Sequence, residues 1–355
     1  MNTTDVIEPA DAGRASAGSL PPSSQAGDRG AEASTGRRVI ATLERYALVL
    51  LLILLVIVFS VLPATSDTFP TLANLRNIAA NESVVAIAAL GALVPLVAHQ
   101  FDVSVGATLG LAAIAAAELT TRGGFALAPA LLVGALVGLA IGTVNGTLIA
   151  RFGANSLVIT LGMATLVGGI GAWWSRNDTI LGVPEWLTTF GNTNWLGVPK
   201  PVWLLIAVAL LVTYLLRFTV FGRQLLSIGS NPEAARLVGM PVTRCVLIAF
   251  AISGAIAAVA GLLLLARTGG ATAGVGDGYT LPALAAVFLG STTIRPGRFT
   301  VAGTLVGVFF VAVSVNGLTL AGAADWVEPV FNGAAVVIAV TASAILVRRR
   351  GGTQS

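Results

Sequence analysis

The chain has 355 residues, of which 55% are hydrophobic and 10% charged, and its formal net charge is +4. A typical soluble domain is about 25% charged and a bilayer crossing takes about 20 apolar residues, so a pair of soluble domains is excluded and an all-α polytopic membrane protein is indicated. With one Cys (Cys245), one His (His99) and one Lys (Lys200), the chain cannot by itself build a disulfide framework, a Cys/His metal site or the Gly-Lys-Ser/Thr loop that cradles nucleotide phosphates.

Residues 1–38 are rich in Ala, Ser, Gly and Pro, without an apolar period. Such a stretch buries too little surface to offset its ordering entropy, so residues 1–44 are expected to form a disordered cytoplasmic tail. Asp5, Glu8 and Asp11 precede any apolar run, unlike a secretory signal, and the tail is expected to be retained. Apolar segments follow at roughly 46–62, 84–98, 103–119, 125–150, 157–174, 202–216, 246–266, 279–290, 300–318 and 327–347. They predict about ten transmembrane helices in a domain spanning 45–347, the fourth long and the second and eighth short, with 348–355 as a second cytoplasmic tail.

Lys and Arg collect on the cytoplasmic side of membranes. With the N-terminus inside, fifteen of the twenty basic residues fall inside, among them Arg151, Arg217, Arg223, Arg295 and Arg298. The outside set is Arg76, Arg122, Arg176, Lys200 and Arg267. Both termini are therefore expected in the cytoplasm. The same topology puts all six tryptophans near the outer face, where aromatic rings anchor in the headgroup zone; an external docking surface on the loop 175–202 is the other reading.

Gly134, Gly138, Gly142 and Gly146 recur at every fourth position. On a helix they form one stripe without side chains, which lets a second helix approach closely in lipid. Gly106-x-x-x-Gly110 and Gly303-x-x-x-Gly307 repeat the pattern. Val144-Asn145-Gly146 in the fourth span and Val315-Asn316-Gly317 in the ninth suggest an internal repeat. Those spans run in opposite directions, so the two copies would be inverted, as in many transporters.

The water-facing segment 217–245 holds the best local signals. Asn231 is a good N-cap, Pro232 suits the first helical position and Gly239 suits a left-handed stop. Between them Glu233-Ala234-Ala235-Arg236-Leu237-Val238 predicts a helix of under two turns, too short to be stable without a partner surface.

Glu233-Ala234-Ala235 followed by Gly239 resembles the EAA-type loop of binding-protein-dependent ABC importers. The chain around it resembles the permeases of the ribose/monosaccharide ABC-transporter family. Phe101-Asp102-Val103-Ser104-Val105-Gly106, Asn155-Ser156-Leu157-Val158-Ile159-Thr160-Leu161-Gly162-Met163, Gly254 to Arg267, Gly303-Thr304-Leu305-Val306-Gly307 and Val315-Asn316-Gly317-Leu318 carry the resemblance in order. It implies an importer-permease architecture in the bacterial cytoplasmic membrane. It also implies a dimer with a second permease copy or paralogue, an extracytoplasmic solute-binding protein, and a cytoplasmic subunit that binds ATP and Mg. Nothing points to a nucleic-acid partner, to a cofactor or metal in this chain, or to catalytic residues. By the resemblance Asn231, Pro232, Glu233, Ala234, Ala235, Arg236 and Gly239 couple to the ATPase. The chain departs from the family pattern at His99-Gln100-Phe101, at Thr280-Leu281-Pro282-Ala283-Leu284-Ala285-Ala286 and at Arg295-Pro296-Gly297-Arg298.

The candidate translocation path comprises Phe101, Asp102, Ser104, Asn145, Asn155, Thr160 and Asn316. An ionisable group at membrane depth is costly and marks function, although Asp102 and Glu118 could equally lie in interfacial water, and the Asn side chains, with Asn332, could instead hold helices together. Gly274 to Gly278 reads as a flexible entrance loop. The expected cargo is a monosaccharide; a nucleoside, a furanosyl signal molecule or a branched-chain amino acid are alternatives. An ion-driven secondary transporter would need buried carboxylate relays that the chain largely lacks. An intramembrane enzyme would need a nucleophile and base.

Overall fold

Each of the ten apolar segments lies in a helix. The computed structural model describes residues 46–324 and 326–351, so the expected N-terminal tail lies outside the described residues. In chain order the helices are α1 (Tyr46–Val61), α2 (Leu72–Val97), α3 (Val105–Thr121), α4 (Leu127–Phe152), α5 (Ser156–Ser175), α6 (Glu185–Asn192), α7 (Lys200–Phe218), α8 (Val220–Ser230), α9 (Pro232–Leu237), α10 (Val242–Thr268), α11 (Asp277–Ser291), α12 (Val301–Leu320) and α13 (Val327–Gly351). Six of them, α2, α4, α5, α7, α10 and α12, are long and apolar enough to cross a membrane by length and composition. Four two-residue strands make small pairs in the loops.

Two boundaries differ from expectation. α2 starts at Leu72 rather than near residue 84. Thr71 caps it by accepting from the Asn74 amide at 3.2 Å. Its polar first turns are absorbed by distant partners: Asn74 donates to Asn316 at 3.0 Å, Arg76 to the Gly197 carbonyl at 2.9 Å, and Asn81 accepts from Arg267. A run of Asn and Arg is a loop signal locally; these tertiary bonds make it helical. At the other end α13 continues past residue 347 to Gly351.

The long loops also carry structure that no period announced. In 175–202 lie α6 and a hairpin of β2 (Asn194–Trp195) and β3 (Val198–Pro199), while β1 (Ile180–Leu181) pairs with β4 (Gly270–Ala271). Trp173, Trp186, Trp195 and Trp326 are exposed.

α2, α3, α10 and α11 supply most of the buried core. α4, α5 and α7 keep outward faces of Leu, Val and aromatic residues, including Leu132, Leu136, Leu161 and Leu210. Each such side chain would cost about 1.5–3 kcal/mol of burial energy if water were its solvent, so lipid is the medium that matches this surface.

The glycine stripe of α4 faces α10. A Cβ on Gly134 would lie 2.9 Å from Leu262 Cδ2, and equally close to the Ala112 carbonyl oxygen of α3, and one on Gly146 2.8 Å from Leu247 Cα. Gly138 and Gly142 sit still closer, against the carbonyls of Gly254 and Phe250. The order of these partners makes α4 and α10 antiparallel. Gly303 and Gly307 pack in the same way on Gly290 and Ala286 of α11. Gly276 lies against the Gly106 carbonyl, backbone to backbone. The segment 274–278, expected as a flexible entrance loop, is therefore clamped onto α3 and starts α11 at Asp277.

Candidate translocation site and coupling helix

α2 closes at Val97, two residues after Pro95, and the chain turns through His99 with φ of 55°. This connection enters the bundle rather than skirting it. Asp102 is 2% exposed, so the interfacial-water reading is corrected. Its Oδ1 accepts from the Ser104 amide at 3.1 Å and the Ser104 hydroxyl at 2.6 Å, and its Oδ2 accepts from the Ser253 hydroxyl on α10 at 2.7 Å. Asn145 Nδ2 of α4 donates to Ser104 Oγ at 2.9 Å. A buried carboxylate is tolerable only with such donors. The Phe101 and Val103 amides donate to Ser156 Oγ and Thr160 Oγ1, each at 3.1 Å, which ties the turn to α5.

Phe101, Asp102, Ser104, Asn145 and Thr160 thus come together where α3, α4, α5 and α10 meet. Asn155 and Asn316 stand apart. Asn155 is the exposed N-cap of α5, accepting from Leu157 and Val158 amides at 2.9 and 3.3 Å. Asn316 pairs with Asn74. Glu118 is 8% exposed and bridges to Arg122 at 2.7 Å. Asp102→Ala is expected to lower stability by about 2–6 kcal/mol, because it leaves the Ser104 and Ser253 hydroxyls without the acceptor they share, at about 1–3 kcal/mol for each stranded donor. Thermal unfolding in detergent measures this; an unchanged midpoint would show that the cluster does not hold the bundle.

A second group escaped the sequence reading. Asn81 and Glu82 of α2, Tyr279 of α11, and Glu328 and Asn332 of α13 line a cavity of about 330 Å³, at the low end of small-molecule sites. Val85, Val311 and neighbouring residues make its apolar wall. The Asn332 Oδ1 atom is buried and has no partner among the described residues. Asn81 is already engaged, its amide donating to Asn77 Oδ1 at 3.2 Å. Two carboxylates and an unfilled carbonyl make the cavity rich in acceptors, so it suits an occupant that brings donors. Arg267, bonded to Asn81, ends α10. That helix has 27 residues, about 40 Å at 1.5 Å each, and α9 lies at its other end. The cavity and the short helix are therefore on opposite sides of the bundle. Glu82 and Glu328 both flank the outer ends of expected spans, but only the fold joins them.

α9 has the geometry its residues suggest. Asn231 Oδ1 accepts from the Glu233 and Ala234 amides, both at 3.0 Å, and Gly239 has φ of 79°. Ala235 is buried, and its carbonyl accepts from the Met240 amide at 3.0 Å. Leu237 and Val238 are 89% and 72% exposed. A pair of projecting apolar side chains on a short capped helix makes an exposed patch of the kind a partner surface covers. α8, not expected from the sequence, seats this unit: Gly229 lies against the Val97 carbonyl at the end of α2.

Residues 74–340 match the family described as branched-chain amino acid transport system / permease component. The chain is 33% identical over 268 residues to the ribose import permease protein of Escherichia coli K12, covering 73% of this chain and 81% of that one. It is 31% identical over 267 residues to the autoinducer 2 import system permease protein of Photorhabdus luminescens, covering 74% and 80%. It is 31% identical over 241 residues to the L-arabinose ABC transporter permease protein of Azospirillum brasilense, covering 68% and 71%. No solved structure matches the chain. The chain belongs to this family: it is a multi-pass membrane permease of the ABC-importer type.

Proposed function

We propose that this permease carries a small hydroxyl-rich solute, a monosaccharide, inward across the bacterial cytoplasmic membrane, powered by ATP and Mg bound to a separate subunit docked on α9. The observation that carries the cargo assignment is the acceptor-rich cavity of Glu82, Tyr279, Glu328 and Asn332. Hydroxyl groups supply donors to the two carboxylates and to the Asn332 carbonyl, and the valine wall suits the C–H face of a sugar ring. Relatives named for ribose and L-arabinose agree with that chemistry. A solute-binding protein would deliver the sugar on the cavity side, and a second permease copy would complete the pathway. The distribution of arginines supports cytoplasmic termini.

Proteoliposomes holding the full chain, its ATPase subunit and its binding protein, supplied with labelled ribose or arabinose, test the reading. The pair Glu82→Gln with Glu328→Gln is expected to raise KM for uptake about tenfold or more, since each hydrogen bond to a charged acceptor contributes about 1.5–3 kcal/mol. An unchanged KM would remove the cavity from the path. Uptake by the permease alone on a proton gradient would overturn the importer reading itself.

A further inference from the structure

On the α9 side, a cavity of about 380 Å³ lies between the end of α7, α8 and the turn joining α11 to α12. Arg217, Arg223, Arg295 and Arg298 line it, together with Leu226 and Phe299, and no carboxylate does. None of the four arginines has a carboxylate partner among the described residues, whose ion pairs join Arg122 to Glu118 and Asp178. Arg217 stands over the Phe218 ring, 5.5 Å from its centre. The turn that brings Arg295 and Arg298 is held by backbone bonds, Gly297 to Ser291 at 2.9 Å and Arg298 to Arg295 at 3.0 Å. Their approach to Arg217 and Arg223 is built by the fold.

A general excess of arginine inside needs no such convergence. Topology is satisfied by basic residues scattered along a face, as Arg151 is at the end of α4. Here two segments far apart in sequence direct like charges at one space, where they repel unless an anion sits between them. Arginine forks suit phosphate oxygens in particular. The cavity also lies where α7 ends, at the boundary of the apolar surface, and Leu226 and Phe299 give it an apolar flank. Basic pockets between helices at this depth suit anionic headgroups. We propose that this cavity binds the phosphate of an anionic phospholipid, with the glycerol and the start of the acyl chains against Leu226 and Phe299.

The test uses the full chain in nanodiscs made of equal parts phosphatidylglycerol and phosphatidylcholine, released for native mass spectrometry. The wild type should retain phosphatidylglycerol preferentially. Arg295→Gln combined with Arg298→Gln should weaken that retention more than tenfold, as about 1 kcal/mol per arginine implies; the matching Lys pair should recover part of it. Arg151→Gln, on the same face but outside the cavity, should change nothing. Equal loss in Arg151→Gln would reduce the effect to bulk charge and overturn the proposal. Retention of inorganic phosphate without any lipid preference would assign the cavity to a free anion. Unchanged lipid retention with weakened binding of the ATPase subunit would assign it to a protein carboxylate.

Discussion

Glu233→Arg is expected to reduce ATP-driven uptake by at least an order of magnitude while leaving membrane insertion unchanged and thermal stability nearly so. Glu233 is exposed on the first turn of α9, so the protein's interior does not register the change. Charge reversal at an exposed helix N-terminus costs about 1 kcal/mol, at about 0.3–1 kcal/mol for each charge term, and salt screens it. In the proposed docking of α9 on an ATPase subunit, a cation facing Glu233 there would meet a like charge after the reversal, which costs several kcal/mol, and 1.4 kcal/mol already equals tenfold. A lever can bias a two-state gate only through contacts that differ between the states. Uptake and ATPase stimulation by the assembled transporter, measured beside the unfolding midpoint, separate the effects. Normal uptake would take the coupling role away from α9, and a fall in both uptake and stability would make the helix structural.

Gly142→Leu is expected to abolish the folded protein rather than to slow it. A Cβ at Gly142 would press on the Phe250 carbonyl and stand 3.1 Å from Ala251 Cα. Both are backbone atoms of α10, so no side-chain rotation relieves the clash, and the helices must separate along the stripe. Overpacking a core costs about 1–3 kcal/mol when neighbours can adjust; here they cannot, and close packing is the main force between helices in lipid. Gly162→Leu on α5, where a Cβ meets nothing within 4 Å, is the control. Yield of monodisperse protein in detergent reads the outcome. If Gly142→Leu matched the control, the α4–α10 contact would not be what holds the bundle.

Two features of the candidate site were legible because their chemistry is local. The Asn231 cap, Pro232 and Gly239 specify α9 within nine residues, and the glycine period of α4 announces a close helix contact. The Asp102 cluster was half legible. Asp102 and Asn145 stood out as polar groups in apolar surroundings, and Phe101, Ser104 and Thr160 lie in the strings that carry the resemblance, but the partner Ser253 carried no signal, since a lone Ser in a transmembrane helix usually bonds its own backbone. Asn155 and Asn316 looked the same in sequence and do other work, one capping α5 and the other holding Asn74.

Composition, apolar run length and arginine placement were enough to define a multi-pass helical membrane protein with a short capped helix, because each is a one-dimensional consequence of the solvent the chain meets. Which helices touch, that the turn at Asp102 is buried, that α2 begins at Leu72, and that Glu82, Tyr279, Glu328 and Asn332 share one cavity were decided by tertiary structure alone. In a bilayer nearly every helix is apolar on all sides, so hydrophobic pattern does not say which face meets which partner. That choice falls to close backbone approach and to a few polar pairings between residues far apart in the chain.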